Sequence, residues 1–204
     1  MNEIDSSLIL RQRWFAHRYS ANARFVADLA EPLINILLPI KGEVILDLGC
    51  GDGTLTVEMA KFAAHVIGVD NNPEILASAR QRMDRLGLKN VSLITENVSQ
   101  LSLPDESLDV VFFSQSLHHL DDPKSGFKEA ARILRPGGQV LVMELAAHNE
   151  DWVLEKLGHK WQGFEEGSLL DFMQTAGFKQ LYSEILPLRR EELFQIILAS
   201  ARKS

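Results

Sequence analysis

The chain carries a single cysteine, Cys50, so it forms no internal disulfide and fits none of the stapled secreted scaffolds. Long hydrophobic runs are missing too: Leu33 to Ile40, the longest nearly apolar stretch, is far short of the roughly 20 residues that a bilayer-spanning helix needs. Basic residues are the minority, 21 Lys and Arg against 28 Asp and Glu, and the formal net charge of -7 argues against wholesale binding to a nucleic-acid phosphate backbone. Met1 to Ser7 holds two acids and no basic flank of the secretory kind, and there is no internal repeat or low-complexity tract. These absences point to a cytoplasmic protein without membrane attachment. What is present is ordinary globular material, 46% hydrophobic and 24% charged, in a chain of 204 residues that can bury roughly 70% of its unfolded surface in one core.

Apolar spacing divides the chain. Over residues 8 to 38 the spacing is near 3.6, with breaks around Tyr19 to Asn22 and at Pro32, and predicts two or three helices. Short β-rich apolar runs then predict strands at Val44 to Leu48, Val66 to Val69, Val91 to Ile94, Asp109 to Ser114 and Gln139 to Leu145. Helical patterns separate several of them, at Thr54 to Ala64, Pro73 to Leu86 with Gly87 as its stop, and Asp122 to Leu134. The alternation predicts right-handed βαβ units and a parallel sheet covered on both faces. A helix at Ser168 to Thr175 and two runs at Lys179 to Leu186 and Leu193 to Ala199 follow, and the short link between those runs permits only antiparallel pairing. The expected fold is α/β, a seven-stranded, mostly parallel sheet with an antiparallel C-terminal end.

The sharpest local signal is Asp47-Leu48-Gly49-Cys50-Gly51-Asp52-Gly53, between the first strand and a helix. Glycines there let the backbone turn tightly and approach a ligand closely. In an open α/β sheet that loop lies where ligands bind, outside the carboxyl ends of the strands. Asp70, at the end of the second strand, is placed to accept hydrogen bonds from a ribose. A dinucleotide fingerprint spaces its glycines G-x-G-x-x-G, whereas here the third comes one place early. Asp47 and Asp52 would repel a pyrophosphate and favour an ammonium or sulfonium group, which argues against a nicotinamide oxidoreductase.

The segment VILDLGCGDGTLT at 44 to 56 resembles motif I of class I S-adenosylmethionine-dependent methyltransferases, of the type 11 and 25 domain kind. VIGVDNNPEIL at 66 to 76, ENVSQLSLPDESLDVVFFSQSLHHL at 96 to 120 and ILRPGGQVLVMEL at 133 to 145 are similar to the family's later segments, in order. The resemblance implies a Rossmann-like fold and methyl transfer from S-adenosylmethionine to a small-molecule acceptor, leaving S-adenosylhomocysteine. It implies that Asp47 and the backbone of Gly49, Cys50 and Gly51 hold the methionine moiety, and that Asp70 grips the ribose. Asn71, Ile75 and Val98 then enclose the adenine, Asn97 reads its amino group in place of the usual aspartate, and Ser114 borders the methyl. Residues 149 to 178 resemble a module found behind metalloregulator-type winged-helix domains, of which none precedes it here.

A single methyltransferase domain over 1–204 is expected, with a helical lid over 1–40, the cofactor core over 41–146 and a substrate-side segment over 147–204, acting as a monomer or homodimer. In the lid, Tyr19 or Arg24 would reach the cofactor carboxylate, unless that segment's aromatics only pack on the sheet. His118, His119, Glu144 and His148 are the candidate bases, His148 first and His118 next, because they sit on the carboxyl-end rim. Trp152, Trp161 and Phe164 are candidates to shape the acceptor pocket. One cysteine and the lack of C-x-x-C or H-x-x-x-H spacing predict no metal and disfavour arsenic as the acceptor. A non-catalytic sensor of the same cofactor, or a partner subunit, would keep every one of these motifs.

Overall fold

The computed structural model describes residues 43–186 and 193–204. The helices expected over 8 to 38, with Tyr19 and Arg24, lie outside the described residues. Seven strands form one sheet in the order β3-β2-β1-β4-β5-β7-β6. They are β1 (Val44–Leu48), β2 (His65–Asp70), β3 (Val91–Thr95), β4 (Leu108–Ser114), β5 (Leu134–Leu145), β6 (Phe178–Ile185) and β7 (Ile196–Lys203). The first five pair in parallel, while β7 runs antiparallel to both β5 and β6. Chain order reverses between β1 and β4, which makes their carboxyl ends the crevice where open α/β sheets bind ligands.

Helices α1 (Thr54–Met59), α2 (Pro73–Leu86), α3 (Pro123–Ile133), α4 (Trp152–Leu157) and α5 (Glu166–Thr175) cover the sheet. Phe127 and Ile133 of α3 and Leu169 and Met173 of α5 join Leu48 and Phe113 in one core. Leu55 and Met59 of α1 and Trp152 and Val153 of α4 join Ile45 and Phe112 in another. The sheet is thus buried on both faces, as its continuous apolar strands require, and each fully buried Leu or Phe contributes about 1.5–3 kcal/mol.

Some boundaries differ from expectation for local reasons. Helix α1 stops at Met59 rather than Ala64, because Asn90 Nδ2 donates to the carbonyls of Ala60 and Ala63 and draws them out of the helical ladder. Strand β5 begins at Leu134, ahead of the Pro136-Gly137-Gly138 turn signal, since Leu134 already pairs with Leu108 across an irregular register. Strand β7 is displaced towards the C-terminus: Phe194 is buried in the core, and pairing runs on through Lys203. Among the described residues, no helix is long and apolar enough to cross a membrane.

Candidate active site

The loop after β1 is held by its neighbour strand. Gly49 and Cys50 N–H both donate to the Val69 carbonyl, at 2.8 and 2.9 Å, and Gly51 N–H donates to Asp70 Oδ2 at 3.0 Å. Gly49 adopts φ +76° and Gly51 φ +54°, conformations that a side chain would resist. Asp70 Oδ1 accepts from Asn72 N–H at 2.9 Å, so this carboxylate shapes the glycine loop as well as facing the crevice.

Asp47 lies fully buried under the loop. Its Oδ2 accepts from Thr56 Oγ1 at 2.6 Å, while Oδ1 has no hydrogen-bond partner among the described residues. Burial pushes its carboxyl up to about 7, with the Thr56 bond opposing and the Asp70 charge adding. A buried carboxylate oxygen left without a donor costs roughly 1–3 kcal/mol or more, and a cationic donor at that spot would relieve it. The second acid of the motif behaves differently: Asp52 Oδ1 accepts from Thr54 and Oδ2 pairs with Arg82. Its carboxylate is therefore engaged within the protein, unlike the orphaned oxygen of Asp47.

Ile75 stands beside Gly51 and is 39% exposed, Asn71 is exposed, and Val98 is buried in the neighbouring turn. Glu96 N–H donates to the Asp70 carbonyl, tying that turn to β2. Asn97 Oδ1 accepts from Ser99 N–H at 2.9 Å and so helps build its own turn, keeping one lone pair for another donor. Ser114 closes β4 half-buried, and Gln115 after it takes φ +50°.

Beyond β4, a 3-10 turn (Leu117–His119) meets the end of β5. Glu144 is fully buried and accepts from Leu117 N–H (2.7 Å), Leu145 N–H (3.0 Å) and His118 Nδ1 (2.7 Å). His118 is fully buried, and its Nε2 has no partner among the described residues. His148 is half-buried, stacks on Phe194 with ring centroids 4.3 Å apart, and accepts from Glu150 N–H at Nδ1. Desolvation lowers its pKa, with the Glu150 charge opposing and the His118 charge adding. Between them the chain folds back: Ala147 N–H donates to Phe164 O and His148 N–H to Gln162 O, while Lys160 N–H donates to His118 O at 2.8 Å. That return leg packs His159 against His118, ring centroids 4.1 Å apart, with His119 at 4.4 Å from His118.

The sequence profile of the methyltransferase-domain family matches residues 46–142, a span that holds the glycine loop, Asp70, Asn97 and the His118 turn. Over those residues the chain is similar to a methyltransferase domain. It is 35% identical over 131 residues to an uncharacterized methyltransferase of Schizosaccharomyces pombe, covering 62% of this chain and 49% of the relative. It is 30% identical to a ubiquinone biosynthesis O-methyltransferase of Cereibacter sphaeroides over 139 residues, covering 68% and 54%. The chain spans about half the length of these curated relatives. The fold is shared with a methyltransferase structure from Bacillus halodurans at TM-score 0.73 and 21% identity, over 87% of this chain and 99% of that one.

S-adenosylmethionine is the cofactor that the resemblance implies, and the residues fit it. The orphaned Asp47 Oδ1 suits its ammonium, the side-chain-free Gly49 to Gly51 backbone suits close approach, and Asp70 retains lone pairs for ribose hydroxyls. The Cys50 side chain is buried against Gly68, and burial pushes the thiol pKa far up, so only its backbone is available to a ligand. Trp152 and Phe164 are buried in the core, while Trp161 is 37% exposed and donates to the Leu120 carbonyl. Sequence reasoning missed helix α4 and the approach of His159 to the His118 turn. Six residues are too few to show a helical period, and no spacing rule links two such distant histidines.

Proposed function

We propose that the chain transfers a methyl group from S-adenosylmethionine to a small-molecule acceptor at the rim formed by the ends of β4 and β5. The orphaned oxygen of buried Asp47, set in a glycine loop that a pyrophosphate would not choose, carries the cofactor side of this reading. The relative named for ubiquinone biosynthesis O-methylation supports a small acceptor. When bound, S-adenosylmethionine supplies a methyl group on a sulfonium, an electrophile with its leaving group already attached, so positioning and exclusion of water account for much of the rate.

The chain's own residues divide the remaining work. Asp47 holds the ammonium, Asp70 the ribose hydroxyls, and Ile75 and Val98 enclose the adenine beside Asn71, with Asn97 accepting from its amino group. Ser114 ends the strand facing the transferring methyl. On the acceptor side, the Nδ1 partners set the two tautomers. His118 donates its Nδ1 proton to Glu144 and keeps a lone pair at Nε2 that activates the acceptor's nucleophile. His148 accepts at Nδ1 from Glu150 and, neutral because its pKa is depressed, keeps its proton on Nε2 and orients the acceptor as a donor. His118 therefore takes the activating role that the sequence reading assigned first to His148.

Parallel calorimetric titrations with S-adenosylmethionine, S-adenosylhomocysteine and NAD test the cofactor, followed by an acceptor screen read by S-adenosylhomocysteine release. Binding of the two sulfur nucleotides and not NAD, with turnover of a small acceptor, is expected. Binding without turnover of any acceptor would make the chain a sensor, and silence from both sulfur nucleotides would overturn the assignment.

A further inference from the structure

Three imidazoles converge at this rim. His118, His119 and His159 each offer a ring nitrogen, and these three atoms lie within 4.8 Å of one another. His118 and His159 are buried and His119 is exposed, so the cluster has a dry floor and one wet side. The backbone holds it from two directions. The His118 carbonyl accepts from both Lys160 and Trp161 N–H, and His159 N–H donates to the Val153 carbonyl across Gly158, which turns at φ +67°. Trp161 Nε1 closes the return by donating to the Leu120 carbonyl at 2.9 Å.

Neutral imidazole rings present lone pairs, which are metal ligands. Glu144 adds an independent sign: by taking the His118 Nδ1 proton at 2.7 Å it leaves the buried Nε2 as an aimed lone pair, in the carboxylate–imidazole arrangement that orients metal-ligating histidines. Among the described residues its other partners are main-chain N–H groups, so Glu144 is fixed as a support.

We propose that His118, His119 and His159 bind one divalent transition-metal ion of the zinc class. Imidazole suits zinc and its neighbours, and three protein ligands leave a fourth position open. Zn–N bonds of about 2.0–2.1 Å place tetrahedral ligand nitrogens roughly 3.4 Å apart, so atoms already within 4.8 Å of one another need close by little more than 1 Å. Resting on the rim being the acceptor side, the open position takes the acceptor's hydroxyl or thiol and lowers its pKa, which is how the His118 lone pair acts. The substrate class is then an alcohol, phenol or thiol. The sequence reading expected no metal, because ligands contributed by His118, His119 and distant His159 have no recognisable spacing.

The full chain, freed of any purification tag and stripped with a chelator, is dialysed against Zn²⁺ and, separately, Co²⁺. Metal content and the Co²⁺ visible spectrum are then recorded. About one equivalent of metal and the intense d–d bands of a four-coordinate cobalt site are expected. Glu144→Gln should weaken binding roughly 10–100-fold and His159→Gln at least as much, while His159→Gln still binds S-adenosylhomocysteine as the unaltered chain does. Should His159→Gln fail that folding check, His119→Gln, altered at the exposed ligand, gives the same readout. Failure of the unaltered chain to hold metal, or unchanged zinc affinity in a folded His-to-Gln variant, overturns the metal site and leaves His118 acting as a plain base. Loss of S-adenosylhomocysteine binding by the unaltered chain would instead remove the methyltransferase reading.

Discussion

Gly49 and Ser116 touch across the crevice: a Cβ built on Gly49 would overlap the Ser116 side chain, so the loop after β1 and the segment after β4 pack with no room between them. Gly49→Ala therefore combines a left-handed backbone, costing about 1–2 kcal/mol, with a steric clash. Gly87, at φ +65° with nothing within 4 Å of a would-be Cβ, separates the two effects. Thermal unfolding should show Gly87→Ala destabilised by about 1 kcal/mol with cofactor binding intact. Gly49→Ala should be destabilised by more, and calorimetry should show its cofactor affinity sharply reduced.

The raised pKa of Asp47 has a pH consequence whose sign is fixed. Between its ordinary value of 3.8 and about 7 the folded chain holds a proton there that the unfolded chain has lost. Asp47 thus makes stability fall as pH rises through that window and level off above about 7. A cationic ligand prefers the ionised carboxylate, so cofactor affinity should rise with pH by up to about tenfold per unit below pH 7, then level off. In Asp47→Asn, titrations across that range should show weaker binding and a flat profile.

Asp70 serves two masters, accepting from the Gly51 and Asn72 N–H groups while keeping lone pairs for the ribose. Asp70→Ala should cost about 1–3 kcal/mol of cofactor affinity, through loss of a charged acceptor and loosening of the loop. Calorimetry with S-adenosylhomocysteine checks this, and unchanged affinity would remove the ribose from this carboxylate.

Glu144 receives donors from Leu117, His118 and Leu145. In Glu144→Gln an amide NH₂ must face at least one of them, and an unsatisfied buried donor costs about 1–3 kcal/mol. A denaturant titration should show that loss, and methyl transfer should drop with it because the His118 tautomer is no longer held.

Cys50 is 8% exposed and its thiol pKa is pushed far up, by burial first and by the Asp47 and Asp70 charges next. A maleimide at neutral pH should leave the native chain unmodified over a time in which the denatured chain reacts fully, as read by intact mass.

Much of this architecture was legible from residue order. Apolar runs marked all seven strands, Gly87 marked the end of α2, and the glycine motif marked the tight turn after β1, because turn chemistry and side-chain period are local properties. Where tertiary partners intervened, local reading failed: Asn90 shortened α1, and Leu108 drew Leu134 into β5 ahead of a proline-glycine turn. Asp52 has the same residue type as Asp47 in the same motif, yet Arg82 of α2 takes up its charge.

By itself, the sequence determined the alternation of strands and helices, the glycine loop after β1, and the two acids at the ends of β1 and β2. Only the tertiary structure decided that Asp47 would keep an unpartnered oxygen, that Glu144 and Glu150 would set opposite tautomers in His118 and His148, and that His159 would come to rest on His118. The reason is physical: a motif is written by the conformations of neighbouring residues, whereas a meeting of distant side chains depends on where the packed sheet and the hydrogen-bonded return of residues 158–164 carry them.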